Sequence, residues 1–127
     1  MPRIEHIAIW CRDLEVMKNF YLEYFQGTAG KKYHNPKKGF TSYFLFFENG
    51  SRLELMHRED IHEKVSTNSF GWAHLAFSVG SKKTVDQLTS SLQGDGFEVM
   101  GQPRTTGDGY YESTVLDPEG NQVEITA

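Results

Sequence analysis

The chain has 127 residues, which is enough for one domain with a hydrophobic core. Its formal charge of −4 argues against a nucleic-acid-binding protein, because such a protein needs a basic face to neutralise phosphates. The single cysteine excludes an internal disulfide, and the sequence shows neither a signal-peptide pattern nor an apolar run of membrane-spanning length, so we expect a cytoplasmic protein without a membrane partner.

The first half of the chain predicts the element order β-α-β-β-β. Residues 4–10 are apolar and β-branched, as in a buried strand. Asp13 is the predicted N-cap of a helix that ends near Phe25. The remaining elements are a polar edge or loop segment at 31–38, an aromatic strand at 40–47, a hairpin turn at Asn49-Gly50 and a strand at 51–56.

The second half predicts the same order after a charged and polar linker. A strand at 72–79 is followed by Ser81, the predicted N-cap of a helix that runs to about Gln93. Further strands are predicted at 97–100, at about 110–116 and at 121–126. We therefore predict a single domain over residues 1–127, made of a module at 1–56, a linker at 57–70 and a module at 71–127.

The two halves also share sequence at matching places. The segment Ile4 to Ile9 aligns with Trp72 to Phe77, and this alignment superposes His6 on His74. The segment Glu48 to Leu55 aligns with Pro118 to Ile125, and it superposes Glu54 on Glu124. Such a duplication, in which neither copy covers both sides of its own sheet, predicts an α+β fold. In this fold two βαβββ modules pair into one curved mixed sheet with the helices outside.

The four repeated polar residues are the candidate functional site. Strand alternation places His6, Glu54, His74 and Glu124 on the sheet face away from the apolar, helix-covered side. Singly, each His could be hydrogen-bonded scaffolding and each Glu the solvent side of a strand, and together they could form a network without metal. Two imidazoles and two carboxylates also suit a divalent first-row ion and leave a position open for water, as in catalytic sites. Ni(II) or Zn(II) is expected first, and Mn(II) or Co(II) is compatible.

The motifs that carry these residues resemble the vicinal-oxygen-chelate superfamily. They are Glu5-His6-Ile7-Ala8-Ile9, Leu53-Glu54-Leu55, Ala73-His74-Leu75-Ala76-Phe77 and Asp117-Pro118-Glu119-Gly120-Asn121-Gln122-Val123-Glu124. The resemblance covers the whole chain and implies paired βαβββ modules around a divalent metal ion that binds neighbouring oxygens of a small-molecule substrate. A homodimer is expected, with the site built either within one chain or across two.

Within this superfamily, the ligand order His, Glu, His, Glu resembles glyoxalase I (lactoylglutathione lyase). The resemblance implies a metal-dependent lyase or isomerase that acts on a small α-oxygenated substrate by proton transfer. By the same resemblance, Glu124 is the first candidate for the catalytic base and Glu54 is its symmetry-related partner. The alternatives are an epimerase of the methylmalonyl-CoA type, which normally has Gln in place of Glu54, a ring-cleaving dioxygenase, which uses three ligands, and a drug-binding module of the bleomycin-resistance type.

The substrate end departs from glyoxalase I at two positions. Trp10 stands where an Arg usually follows the first His by four residues, and Arg58 stands where an Asn usually follows the first Glu by four. The thiol-binding pocket is therefore expected to differ. Arg104 and Tyr110 are further candidates for substrate binding, because the segment 104–111 joins an Arg, two glycines and two tyrosines. The alternative for this segment is a flexible hairpin.

The aromatic strand at 40–47 leaves one question open. Its even-numbered aromatic residues share one face, and Tyr43, Leu45 and Phe47 share the other. One set must lie on the site face and the other under a helix.

Overall fold

The computed structural model describes residues 1–66 and 68–127. Thr67, which falls in the predicted linker, lies outside the described residues. The chain divides into two compact units, Met1–Lys64 and Val65–Ala127, called unit 1 and unit 2 below. No helix of the described residues is long and apolar enough to cross a membrane.

Unit 1 is a mixed sheet covered on one face by a helix. The strand order is β1-β5-β4-β2, with β3 also paired to β4, and β1 and β5 run parallel. The bounds are β1 His6–Trp10, α1 Leu14–Phe25, β2 Thr28–Ala29, β3 Tyr33–Asn35, β4 Phe40–Phe46 and β5 Arg52–Arg58.

Unit 2 repeats this arrangement with four strands in the order β6-β9-β8-β7, and β6 and β9 run parallel. Each unit therefore corresponds to one of the two modules of the predicted α+β fold. The bounds are β6 His74–Ser78, α2 Lys82–Gly94, β7 Val99–Thr105, β8 Tyr111–Leu116 and β9 Gln122–Thr126.

Both helices begin at the predicted caps. The Asp13 side chain accepts a hydrogen bond from the Val16 backbone N–H at 3.1 Å, and the Ser81 hydroxyl accepts one from the Thr84 N–H at 3.1 Å. Each cap satisfies a backbone donor that has no partner within its helix. The helix α1 ends at Phe25, as predicted, with Gln26 in the left-handed conformation.

Apolar side chains from each helix pack on one face of the sheet in the same unit. In unit 1, α1 covers the odd-numbered residues of β4 and β5, and in unit 2, α2 covers those of β8 and β9. The side chains buried in this way are Met17, Phe20, Tyr21, Leu45, Leu53 and Leu55 in unit 1 and Val85, Leu92, Val115, Val123 and Ile125 in unit 2. The opposite face of each sheet is left free of helices, and it carries the even-numbered residues.

The strands differ from the sequence predictions in three regions of the chain. The segment predicted as polar edge or loop contains β3, and the short β2 before it was not predicted. The strand predicted at 97–100 continues to Thr105 as β7. The presence of Gly101 and Pro103 made the full length of this strand difficult to predict. The strand tolerates both residues because it lies at the edge of its sheet and its register with β8 shifts at two places. The strand β5 also includes His57 and Arg58, which the sequence assigned to the linker.

Candidate metal centre

His6 and Glu54 meet on the helix-free face of unit 1. In the parallel register of β1 and β5, Glu54 lies opposite Ala8, two residues after His6. The imidazole Nε2 is 3.7 Å from the Glu54 Oε1 atom. The side chains are 41% and 15% exposed, so the pair is open to solvent on the imidazole side.

His74 and Glu124 form the same pair in unit 2. Glu124 lies opposite Ala76, again two residues after the histidine, in the parallel register of β6 and β9. The His74 Nε2 atom is 3.1 Å from the Glu124 Oε1 atom, and the side chains are 38% and 22% exposed. In both units the residue directly opposite the glutamate is an Ala, so the contact between histidine and glutamate is diagonal across the strand pair. The structure therefore brings each predicted histidine to its predicted glutamate.

The donor atoms suit a divalent ion. Two donors that each lie about 2.1 Å from one ion are about 3.0–3.4 Å apart at tetrahedral or octahedral angles. The separation of 3.1 Å in unit 2 falls within this range, and the separation of 3.7 Å in unit 1 exceeds it by a few tenths of an ångström. Within residues 1–66 and 68–127, no three His, Cys, Asp or Glu side chains form a group that could hold an ion, so the candidate ligands of each unit lie only as a pair.

Glu124 has a second carboxylate as its neighbour, which the sequence did not reveal. Burial raises the pKa of Glu124, and a hydrogen bond with Glu112 raises the pKa further, while the nearby His74 and Arg104 lower it. Glu112 belongs to β8. It lies two residues before Thr114, which pairs with Glu124. The contact arises from strand pairing, so no local motif could have predicted it.

Thr126 adds a buried polar atom to the same face of unit 2. It follows Glu124 by two residues on β9 and pairs with Glu112 on β8. Its Oγ1 atom is buried and has no hydrogen-bond partner among the residues that the structure describes. Because a buried hydroxyl without a partner is unfavourable, this atom is suited to receive a polar group of a ligand or a water molecule.

His6 also has a second contact, on its other ring nitrogen. The Nδ1 atom lies 3.1 Å from the Glu5 Oε1 atom. Arg52 donates two hydrogen bonds to the same carboxylate, one from Nε to Oε2 at 3.1 Å and one from Nη2 to Oε1. The hydrogen bond from Arg52 is the main cause that lowers the pKa of Glu5; burial opposes it, and His6 adds to it.

The predicted substrate residues of unit 1 contact one another. The guanidinium of Arg58 lies over the Trp10 ring at 5.0 Å, and the Trp10 ring meets Phe40 edge-on at 6.2 Å. Trp10 is 42% exposed. The two positions at which the sequence departs from glyoxalase I therefore form one aromatic and cationic cluster at the end of the site face.

The register of β4 answers the question about its aromatic residues. Phe44 pairs with Glu54 and Phe40 with Arg58, so the even-numbered residues lie on the site face. Tyr43 and Leu45 pair with Leu55 and Leu53 and are buried under α1.

The candidate substrate-binding residues of the segment 104–111 have different surroundings in the structure. Arg104 pairs with Glu112 and donates a hydrogen bond from Nη1 to its backbone oxygen at 3.1 Å, so it lies next to the Glu124 neighbourhood. Tyr110 is 58% exposed, and its backbone closes a turn with Thr106. Tyr111 donates a hydrogen bond to Asp86 on α2 at 2.6 Å. Tyr111 is therefore engaged with the helix.

Unit 1 also contains a cavity of about 410 Å³ near the start of α1. Arg12, Asp13, Glu15, Lys32 and His57 are among its lining residues. His57 follows Leu53 and Leu55 on the helix-covered face of β5, whereas Glu54 is on the opposite face. The cavity is therefore distinct from the His6–Glu54 pair.

Comparison with known proteins identifies the family. The model of the Glyoxalase/Bleomycin resistance protein/Dioxygenase superfamily matches residues 3–125. The uncharacterized protein YqjT of Bacillus subtilis (strain 168) is 28% identical over 130 residues, which cover 98% of each chain.

Solved structures show the same fold at lower identity. Glyoxalase I from Zea mays superposes with a TM-score of 0.81 at 22% identity and covers 98% of this chain. The glyoxalase I of Leishmania major superposes with a TM-score of 0.78 at 22% identity, over 99% of this chain and 86% of its own. The match spans only 44% of the maize chain.

Proposed function

Because the chain belongs to the glyoxalase/bleomycin resistance protein/dioxygenase superfamily, we propose that it is a metal-dependent lyase or isomerase of the glyoxalase I type. Its substrate is a small α-oxygenated compound, which it converts by proton transfer. The observation that supports this proposal is the repeated pair: His6 with Glu54, and His74 with Glu124, each with Nε2 toward Oε1 at the same strand register. If both copies of a duplicated module contribute ligands to the same ion, the His–Glu pair is expected to be kept in both copies.

The four residues His6, Glu54, His74 and Glu124 would together hold one divalent ion, Ni(II) or Zn(II) first and Mn(II) or Co(II) as alternatives. Two neutral imidazoles and two carboxylates balance the charge of such an ion. When bound, the ion supplies a Lewis acid that polarises a carbonyl oxygen of the substrate. The two pairs come either from one chain or from two chains of a homodimer.

Glu124 is the proposed general base. Its carboxylate takes the proton from the hydroxyl-bearing carbon next to the substrate carbonyl and returns it to the carbonyl carbon. The hydroxyl proton passes to the former carbonyl oxygen, so the carbonyl and the hydroxyl exchange places. Glu54 holds the equivalent position in the other pair. A carboxylate within reach of both carbons can move the proton without exchanging it with bulk water.

The substrate end of the site is proposed to lie at Trp10 and Arg58, with Arg104 and Tyr110 as further contacts. Trp10 offers a flat apolar surface and Arg58 a positive charge, and the two already stack at 5.0 Å. This end suits a substrate with a planar or apolar part, and an anionic group of the substrate would have to compete with Asp60, which already pairs with Arg58 at 2.5 Å. Candidate substrates with different thiol or acyl parts therefore have to be screened, and glutathione should not be assumed to be the thiol.

The proposal is tested by metal content and thermal stability. The purified protein is compared with the double variant His74→Ala, Glu124→Ala and with the control His62→Ala, Glu63→Ala, which also removes one imidazole and one carboxylate, both from exposed positions. We expect bound metal in the protein and the control, and its loss in the site variant. At a free metal concentration 100 times Kd, the ion stabilises the folded state by about 2.7 kcal/mol, so Tm should rise with added Ni(II) or Zn(II).

Activity is measured in the same series with the methylglyoxal–glutathione hemithioacetal and related thiol adducts. Glu124→Gln keeps an oxygen donor but cannot accept the proton, so kcat should fall by about 10²–10⁴-fold with most of the metal retained. If the protein takes up none of Ni, Zn, Mn and Co, the catalytic proposal is wrong. The four residues would then be a polar network in a ligand-binding module.

A further inference from the structure

The environment of the two histidines differs, although their strands and glutamates match. Residue 73, before His74, is Ala, and the residue opposite His74 on β9 is Gln122. The corresponding residues of unit 1 are Glu5 and Arg52. The position before the histidine and the position opposite it therefore hold a carboxylate and a guanidinium in unit 1 only.

We infer that Glu5, held in place by Arg52, is a positioning residue that fixes the ring orientation and the tautomer of His6, so that its Nε2 atom faces Glu54 as a metal ligand. This inference rests on the proposed metal site. It assigns a role to two residues, Glu5 and Arg52, that do not contact the ion themselves.

The first step of the argument is the hydrogen bond at Nδ1. The Glu5 Oε1 atom is 3.1 Å from the His6 Nδ1 atom. The same carboxylate accepts two hydrogen bonds from Arg52, so it is in its acceptor form. A neutral imidazole beside this acceptor must carry its proton on Nδ1, and the lone pair is then on Nε2. The Nε2 atom is the one that faces the Glu54 carboxylate, at 3.7 Å.

The second step is the fixation of Glu5 itself. Arg52 lies directly opposite His6 in the register of β1 and β5, and its backbone N–H donates to the Glu5 backbone oxygen at 2.9 Å. Backbone and side chain of Arg52 therefore bind the same residue. A carboxylate that accepts two hydrogen bonds from a side chain, on a residue whose backbone is bonded to the same arginine, can orient an imidazole better than a freely rotating one.

The third step is the aromatic contact beneath both groups. The Arg52 guanidinium lies 4.1 Å from the Phe44 ring centroid, and the His6 ring meets Phe44 edge-on at 5.3 Å. In unit 2, the residue that pairs with Glu124 as Phe44 pairs with Glu54 is Thr114. The orienting arrangement of unit 1 thus depends on three side chains, Glu5, Arg52 and Phe44, and unit 2 has a different residue at each position.

The test reads the tautomer directly in the metal-free protein. Long-range ¹⁵N–¹H spectra of the imidazoles are recorded at about pH 8.5, above the ordinary pKa of about 6.5 for the histidine side chain. The variant His6→Ala identifies the His6 signals, and His74 serves as an internal reference. We expect His6 in the form protonated on Nδ1, and a shift toward the other tautomer in Glu5→Ala, with His74 unchanged. Arg52→Gln, which copies the residue of unit 2, should shift His6 in the same direction by a smaller amount.

Metal titration gives the second readout. Glu5→Ala should weaken Zn(II) or Ni(II) binding by about 10–100-fold, as expected when the partner of a ligating histidine is removed. Glu48→Ala removes another exposed carboxylate and should bind as the unaltered protein does. If Glu5→Ala keeps both the His6 tautomer and the metal affinity, the inference is wrong and the proposed metal site stands. If the unaltered protein binds no metal, the metal site itself is wrong, whatever the tautomer.

Discussion

The hydroxyl groups of Thr89 and Ser113 lie inside the apolar core of unit 2. Thr89 is 1% exposed and Ser113 is 0% exposed. The two Oγ atoms are 2.7 Å apart, and the Thr89 hydroxyl also lies 2.6 Å from the Val85 backbone oxygen one helical turn earlier. The pair joins α2 to β8, and it avoids the penalty of a buried hydroxyl because each group has a partner.

Replacing Thr89 should cost more stability than replacing Ser113. Thr89→Val leaves the buried Ser113 hydroxyl without its partner, which costs about 1–3 kcal/mol. Ser113→Ala leaves Thr89 bonded to the Val85 oxygen, so its cost should be at the lower end of that range. The double variant should lose less than the sum of the two single changes. Urea unfolding of the four proteins measures this, and strictly additive losses would contradict the predicted coupling.

The four candidate ligands could be predicted from single residues because a strand alternates its faces with a period of two. His6 and Glu54 needed only this rule and the repeat to be placed on one face. Glu112 and Glu5 could not be predicted in the same way. Glu112 reaches Glu124 through the pairing of β8 with β9, and Glu5 reaches His6 from just before its strand begins.

In unit 1, a hydrogen bond between side chains joins β4 to α1. The Tyr43 hydroxyl on β4 donates to the Glu15 carboxylate at the start of α1 at 3.1 Å. This hydrogen bond is the main cause that lowers the pKa of Glu15, whose ordinary value is 4.5, while burial opposes it and Lys18 adds to it. Because the folded pKa is lowered, the contribution to stability is present above pH 4.5 and is lost as the pH falls through the folded value.

Tyr43→Phe should therefore raise the pKa of Glu15 toward its ordinary value. The loss of stability at neutral pH should be about 0.5 kcal/mol, at the low end for a hydrogen bond, because the Glu15 side chain is half exposed and water can replace the donor. The loss should become smaller as the pH falls below 4.5. An NMR titration of the Glu15 carboxyl and unfolding curves at both pH values measure these effects. A Glu15 pKa that does not change would contradict the account.

The helices were predicted better than the strands at the sheet edges. Asp13 and Ser81 predict the starts of their helices because an N-cap residue acts through a local hydrogen bond. The edge strand β7 contains Gly101 and Pro103, which are unfavourable inside a paired strand, and only its place at the edge permits them. The order of all strands in the sheet decides which strand lies at the edge. The local sequence of a strand does not carry this information.

At the scale of the whole molecule, the duplication was the part of the fold that the sequence predicted most directly. The same strand register recurs in the two units, with Glu54 opposite Ala8 and Glu124 opposite Ala76. The match of the superfamily model to residues 3–125 confirms the family resemblance. The sequence could not predict how the copies have diverged, since the contacts of His6 and Glu124 with their neighbours arise only when the strands are paired.

The central proposal is that the two pairs bind one ion together, and a metal titration of two double variants tests it most directly. One variant removes the pair of unit 1, His6→Ala with Glu54→Ala, and the other removes the pair of unit 2, His74→Ala with Glu124→Ala. Isothermal titration with Zn(II) gives the number of ions per chain and their Kd. Both variants should lose tight binding completely, and the unaltered protein should bind one ion for each set of four ligands. If each variant keeps one tight site while the unaltered protein binds two ions, the pairs are independent sites and the proposal is wrong.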